Sequence, residues 1–82
     1  MPTTRSALRA PLGVVIRRLR LERNWTIEDL ADAAQLHPTY ISELERGRKT
    51  ASLAAVEAVA GALLVRPSEL LRQAEDLDRF SD

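Results

Sequence analysis

"HPTYISELERGRK", residues 37–49, decides how the chain is read. Proline at the start of a helix costs nothing, because an N–H in the first turn has no partner inside the helix, so Pro38 marks a beginning. Gly47 suits the left-handed residue that follows a helix end. Between them the spacing predicts a helix over residues 38–46. On a wheel of about 100° per residue, Ile41, Leu44 and Glu45 share the core side. Thr39, Glu43 and Arg46 form the opposite stripe at i, i+4 and i+7, flanked by Tyr40 and Ser42. Such a face is compatible with plain solvation. Its residue types also match base edges in a DNA major groove: Arg donates to guanine O6 and N7, Glu accepts from cytosine N4, and Thr hydrogen-bonds or meets the thymine methyl. Arg48, Lys49 and Thr50 follow at once and can reach phosphates, as can Ser42. The Tyr40 ring can cover the core edge while its hydroxyl reaches a phosphate.

Working outward, His37 precedes a proline and is pushed away from helical dihedrals, which separates this helix from the one before it. That earlier helix has Thr26 as N-cap, acidic Glu28 and Asp29 in its first turn, and Ile27, Leu30, Ala31 and Ala34 as its apolar side. Upstream again, Pro11 opens a helix whose Leu12, Val15, Ile16 and Leu19 repeat at helical spacing and which stops at Asn24. Downstream, Ser52 caps a fourth helix with Leu53, Val56, Val59, Ala60, Leu63 and Leu64. Pro67 restarts a fifth near Leu70 and Leu71. Nothing reads as a strand. The expected architecture is all-α, with five short helices over residues 11–74, a flexible arm carrying Arg5 and Arg9 over residues 1–10, and an acidic tail over residues 75–82.

A chain of 82 residues is one domain, and one that buries only about 60% of its unfolded surface. It has no cysteine, which excludes disulfides and thiolate metal sites and fits a cytoplasmic setting. No apolar run approaches the roughly 18 residues of a membrane span, and no signal-peptide core is present. His37 has no second imidazole with which to share a metal. Gly13, Gly47 and Gly61 are isolated, so there is no Gly-rich phosphate loop. With no nucleophile–base pair either, an enzyme, a cofactor and a metal are all unexpected. The net charge is zero, yet residues 1–49 hold nine Arg/Lys against six Asp/Glu and residues 50–82 hold three against six. That asymmetry fits a basic working face and an acidic remainder.

Two charges fall on apolar stripes. Arg20 shares a side with Ile16, and Glu45 shares one with Ile41. A lone buried charge is very costly, so the two are expected to pair, tying the first helix to the end of the third. Trp25 fits core packing at the helix junction better than base stacking.

Two short helices joined by a tight turn, the second presenting a polar face, follow the plan of a helix-turn-helix. Residues 12–71, with "TIEDLA" at 26–31, "YISELERG" at 40–47 and "SL" at 52–53, resemble the lambda-repressor/Cro-like helix-turn-helix family. The resemblance implies a five-helix fold that binds double-stranded DNA through residues 38–46. Thr39 and Glu43 stand where the family commonly contacts bases, Pro38 at the leading edge can touch a thymine methyl, and Arg46 can reach a base or a phosphate. It supports the Arg20–Glu45 pair independently. Two positions depart from the family pattern. Ile27 replaces a phosphate-gripping glutamine, which shifts that contact to the cap region at Thr26. Gln35 replaces a glycine in the turn.

One recognition helix reads few base pairs, so such proteins double the site, with helices about 34 Å apart on the duplex. The fourth and fifth helices are expected to dimerise, with Leu63, Val65 and Leu70 as candidates that core packing claims equally. The resemblance implies a transcriptional regulator acting as a homodimer on a pseudo-palindromic operator, its own promoter among them. The nearest types are restriction–modification controllers and small repressors, and activation would add a contact to RNA polymerase. An antitoxin that represses its operon and binds a toxin is the alternative.

Overall fold

The chain turns the same way four times. A computed structural model describes residues 6–79, which form α1 (Arg9–Glu22), α2 (Ile27–Ala34), α3 (Pro38–Glu45), α4 (Leu53–Ala62) and α5 (Pro67–Arg79) with no strand among them. After each of the first four helices comes a residue with left-handed φ: Asn24 (58°), Gln35 (57°), Gly47 (71°) and Leu64 (59°). The N–H of the next residue then reaches back five positions, Trp25 to Arg20 O (3.2 Å), Leu36 to Ala31 O (2.9 Å), Arg48 to Glu43 O (2.9 Å) and Val65 to Ala60 O (3.0 Å). These bonds satisfy carbonyls that a helix end leaves open. Trp25, Leu36 and Val65 also pack against the core, adding the apolar contact that such turns favour. Arg48, the fourth, is exposed.

Helix starts are as local as the ends. Thr26 Oγ1 accepts from the Asp29 N–H (3.0 Å) and Asp29 Oδ2 accepts from the Thr26 N–H (2.8 Å), a reciprocal capping box. Ser52 Oγ accepts from the Ala55 N–H (3.0 Å). His37 caps α3 through Nδ1, which accepts from the Thr39 N–H (3.1 Å).

Both expected ends of the domain move outward. α1 begins at Arg9, and Leu8 already packs against the core, so residues 6–10 are not an arm. Pro11 still lies in the first turn, where it was expected to be tolerated; Arg5 lies outside the described residues. α5 continues past Glu75 to Arg79. The reason is an apolar stripe at i, i+4 and i+7: Leu70 and Ala74 are buried and Leu77 packs against the core. Arg72 also binds Glu69 (2.7 Å) and Asp76 (2.6 Å) across the exposed face, and its hydrogen bond holds the Glu69 carboxyl at about 2. Arg18 of α1 donates to Gln73 of α5.

Ile16, Leu30, Ile41, Leu63 and Leu70, drawn from five helices and their ends, are completely enclosed. Leu63 and Leu70 therefore cannot be the two-fold contacts suggested by the sequence; their own chain's core takes them. Leu64, one residue on, is instead 79% exposed. The left-handed residue at this junction breaks the phase of the α4 stripe and turns one leucine in and the next out.

α1 and α3 approach unusually closely. Gly13, Ile16 and Arg20 make one stripe of α1, and Gly13 is buried against the carbonyls of Leu44 and Glu45 at the end of α3. Only a residue without Cβ fits there.

Candidate nucleic-acid interface

The position of α3 is set from behind by a bidentate ion pair. Arg20 Nε donates to Glu45 Oε2 (2.7 Å) and Nη2 to Glu45 Oε1 (3.0 Å), while Nη1 donates to the Trp25 carbonyl (2.8 Å). Both side chains are under a tenth exposed. The hydrogen bond to Glu45 raises the arginine above its ordinary pKa against the opposing effect of burial. Three donors of one guanidinium thus join α1, the end of α3 and the strand of chain entering α2. The pairing expected from the two misplaced charges is present. Trp25 is half-buried against the core, under the guanidinium of Arg23 at 5.2 Å from the ring centre.

On the outer side the sequence-derived stripe is only partly outward. Thr39 and Arg46 are exposed, Arg46 as the residue that closes α3 rather than within it. Pro38 is half-buried at the first helical position. Glu43 departs from expectation. It is half-buried, and its Oε2 is shut from solvent with no hydrogen-bond partner among the described residues. The chain after α3 folds back over this turn, with Arg48 N–H on the Glu43 carbonyl (2.9 Å).

Ser42, half-buried, lies in a cleft between α3 and the start of α2 that Arg20, Thr26, Ile27, Glu28, Pro38 and Thr39 complete. Thr26 uses its hydroxyl in the capping box, so what it turns to the cleft edge is a cap already engaged. Tyr40 is half-buried and packs against the core, with the Lys49 ammonium over its ring at 5.9 Å. Arg48, Lys49 and Thr50 are all exposed on the loop that follows. The structure therefore brings Thr39, Ser42 and Arg46 to one edge, with the loop cations at its end. Val65, the remaining dimer candidate, is half-buried near Leu64.

Two residues beside α3 gave no sign of their placement in the sequence. Arg17 of α1 lines a second cleft with Arg20, Ile27, Ser42, Glu45 and Arg46. Its place on a helix far from residues 37–49 gave no signal. Gly13 was seen only as an isolated glycine.

No helix of the described residues is long and apolar enough to cross a membrane. Comparison with known proteins agrees with the geometry. Residues 16–70 match the family described as helix-turn-helix. The control protein C.BamHI of Bacillus amyloliquefaciens is 42% identical over 65 residues, which cover 78% of this chain and 80% of that one. The crystal structure of the clp gene regulator ClgR from Corynebacterium glutamicum superposes with a TM-score of 0.83 at 35% identity, covering 92% of this chain and 80% of that chain. The restriction–modification controller protein C.Esp1396I, solved as a tetramer in complex with its natural 35-base-pair operator, gives a TM-score of 0.80 at 30% identity over 90% of this chain and 97% of that one. With its tight turn at Gln35, its braced third helix and these relatives, the chain belongs to the lambda-repressor/Cro-like helix-turn-helix family of DNA-binding transcriptional regulators.

Proposed function

We propose that the protein is a controller-type regulator that binds a pseudo-palindromic operator in its own promoter as a homodimer. The observation that carries this reading is α3, a short helix fixed at its end by the Arg20–Glu45 pair and presenting Thr39, Ser42 and Arg46 along one edge. Thr39, Glu43 and Arg46, with Pro38 at the leading end, are the base-reading candidates. Thr26, Ser42, Tyr40, Arg48, Lys49 and Thr50 are the phosphate candidates. Glu43 reaches a base only by swinging out. Its unpaired buried oxygen supplies the incentive, since a carboxylate acceptor without a donor is costly and a cytosine N4 offers one. Contact with RNA polymerase would distinguish an activator from a repressor acting by occlusion.

Selection of bound sites from random duplex DNA at near-physiological salt tests the reading. A two-fold symmetric motif with half-sites one helical turn apart is expected. Glu43→Ala should relax one position per half-site by about 1–3 kcal/mol and leave the rest of the motif intact. Binding with no motif, fading uniformly as salt rises, would reduce the α3 edge to a solvated face.

The dimer contact we assign to the outer side of α4. Leu53 and Leu64 are 70% and 79% exposed, with Ala54 and Gly61 exposed between them and Ala58 and Val65 half-buried alongside. Leu64 holds a left-handed conformation that costs a leucine roughly 1–2 kcal/mol, yet its side chain meets solvent. Burial against a second copy gives that strained placement a use. Sedimentation of Leu64→Asp should show a folded monomer where the parent chain dimerises. A dimer that survives the substitution would move the interface elsewhere.

A further inference from the structure

We propose that Arg17 of α1 clamps a DNA phosphate, making α1 a third element of the nucleic-acid interface; this rests on the DNA-binding reading above. The cleft that Arg17 closes shares Arg20, Ile27 and Ser42 with the cleft running past Thr26 and Thr39, so the two form one continuous trough along α3 from Thr39 to Arg46. Arg17 stands at its outer end, exposed.

The other arginines of this helix's second half and its end have partners. Arg18 is engaged by Gln73, Arg20 by Glu45 and the Trp25 carbonyl, and Arg23 by the Leu63 carbonyl (2.7 Å) and the Trp25 ring. The Arg17 side chain has neither a hydrogen bond nor an ion pair among the described residues, and the same is true of the Arg46 side chain across the cleft. The carboxylate that also borders the cleft, Glu45, already has both oxygens on Arg20. Glu22, exposed, lines an adjoining groove together with Val14, Arg17, Arg18, Leu21 and Glu45, and it makes no ion pair with Arg17 among the described residues.

Two guanidiniums without an ion-pair partner therefore line one cleft with the Ser42 hydroxyl, while the carboxylate of the trough that lies outside the Arg20 pair, Glu28, stands at its other end with Thr26. Like charges held together without a counterion call for an anion from outside, and the planar guanidinium suits a phosphodiester. α1 flanks α3 instead of sharing its outward stripe, so Arg17 meets the backbone beside the groove and not the bases within it. The contact adds affinity and positions the domain without carrying sequence information.

The test compares Arg17→Gln, Arg17→Lys and Arg18→Gln with the parent chain on the selected operator and on scrambled duplex, over a series of salt concentrations. Loss of one phosphate contact lowers the salt slope by about 0.9, and the substitution removes one from each protomer of the dimer, so the slope falls by about 1.8 and binding weakens roughly thirtyfold at about 0.15 M salt. Arg17→Gln should show both changes, equally on operator and scrambled DNA, with the melting temperature and the selected motif unaltered. Arg17→Lys should keep most of the slope, and Arg18→Gln should keep all of it. A parental slope in Arg17→Gln, while the parent chain binds its motif, would overturn this inference alone. Absence of DNA binding by the parent chain would overturn it together with the reading beneath it.

Discussion

Glu45→Ala should cost about 3–5 kcal/mol of folding free energy, the usual consequence of removing one member of a buried ion pair. A domain of this size has on the order of 5–15 kcal/mol in total. The fall in melting temperature, at roughly 4–8 °C per kcal/mol for a small domain, would be visible in any thermal scan. The size of the effect lies in what is left behind. Arg20 is enclosed, and without Glu45 its Nε and Nη2 lose their acceptors, leaving only the Trp25 carbonyl on Nη1. A charge cannot be returned to water from there without opening the contact between α1 and α3. Substituting both members, Arg20→Met with Glu45→Leu, removes the charge as well as the bond and should recover much of the loss. The recovered protein would then separate stability from function, since it folds without the fork that fixes the end of α3. An unchanged melting temperature for Glu45→Ala would mean that the pair is solvated and that α3 is positioned by packing alone.

This pair was legible in the sequence for the reason that makes it strong. Arg20 and Glu45 each sit on an apolar stripe, and only mutual neutralisation makes that tolerable. The N-caps were legible as well, because their bonds span a few residues: Thr26 with Asp29 and Ser52 with Ala55. What stayed hidden depends on distant segments or on a change of phase. A helical wheel carried through residues 63–65 assumes a regular helix, and the left-handed Leu64 ends it, so burial of Leu63 and exposure of Leu64 could not be read off. The last turns of α5 were obscured by acidic residues interleaved with Leu70, Ala74 and Leu77, although the apolar spacing was present. The half-burial of Glu43 and its unpartnered Oε2 lie on a stripe that the helical wheel turns outward, so neither could be read from its spacing. Arg17 joins Ser42 and Arg46 only when α1 is laid across α3.

Gly13→Ala, by contrast, tests a position at which helix propensity and packing oppose each other. Alanine is favoured over glycine inside a helix by about 1 kcal/mol, and Gly13 lies in the middle of α1. An added Cβ would stand 2.7 Å from the Glu45 carbonyl oxygen and 2.9 Å from its carbon, and nearer still to the Leu44 oxygen. These are backbone atoms at the end of α3, so relief requires moving a whole helix. Overpacking typically costs about 1–3 kcal/mol and more where the surroundings cannot yield, and here it also pulls on the ion pair two turns along the same stripe. The variant should therefore be less stable by several kcal/mol and bind operator more weakly even where it remains folded, because α3 is displaced. Gly61→Ala is the matched control. It too is a helical glycine, but nothing lies within 4 Å of the added Cβ, so the propensity gain of up to about 1 kcal/mol should appear as increased stability of the monomer. Opposite signs for one chemical change, read by urea unfolding of the two variants in a Leu64→Asp background that lacks the proposed dimer contact beside Gly61, would establish that α1 is held against α3 by a contact admitting only glycine. Equal stabilisation of both would mean that the two helices can separate by a methyl group without loss.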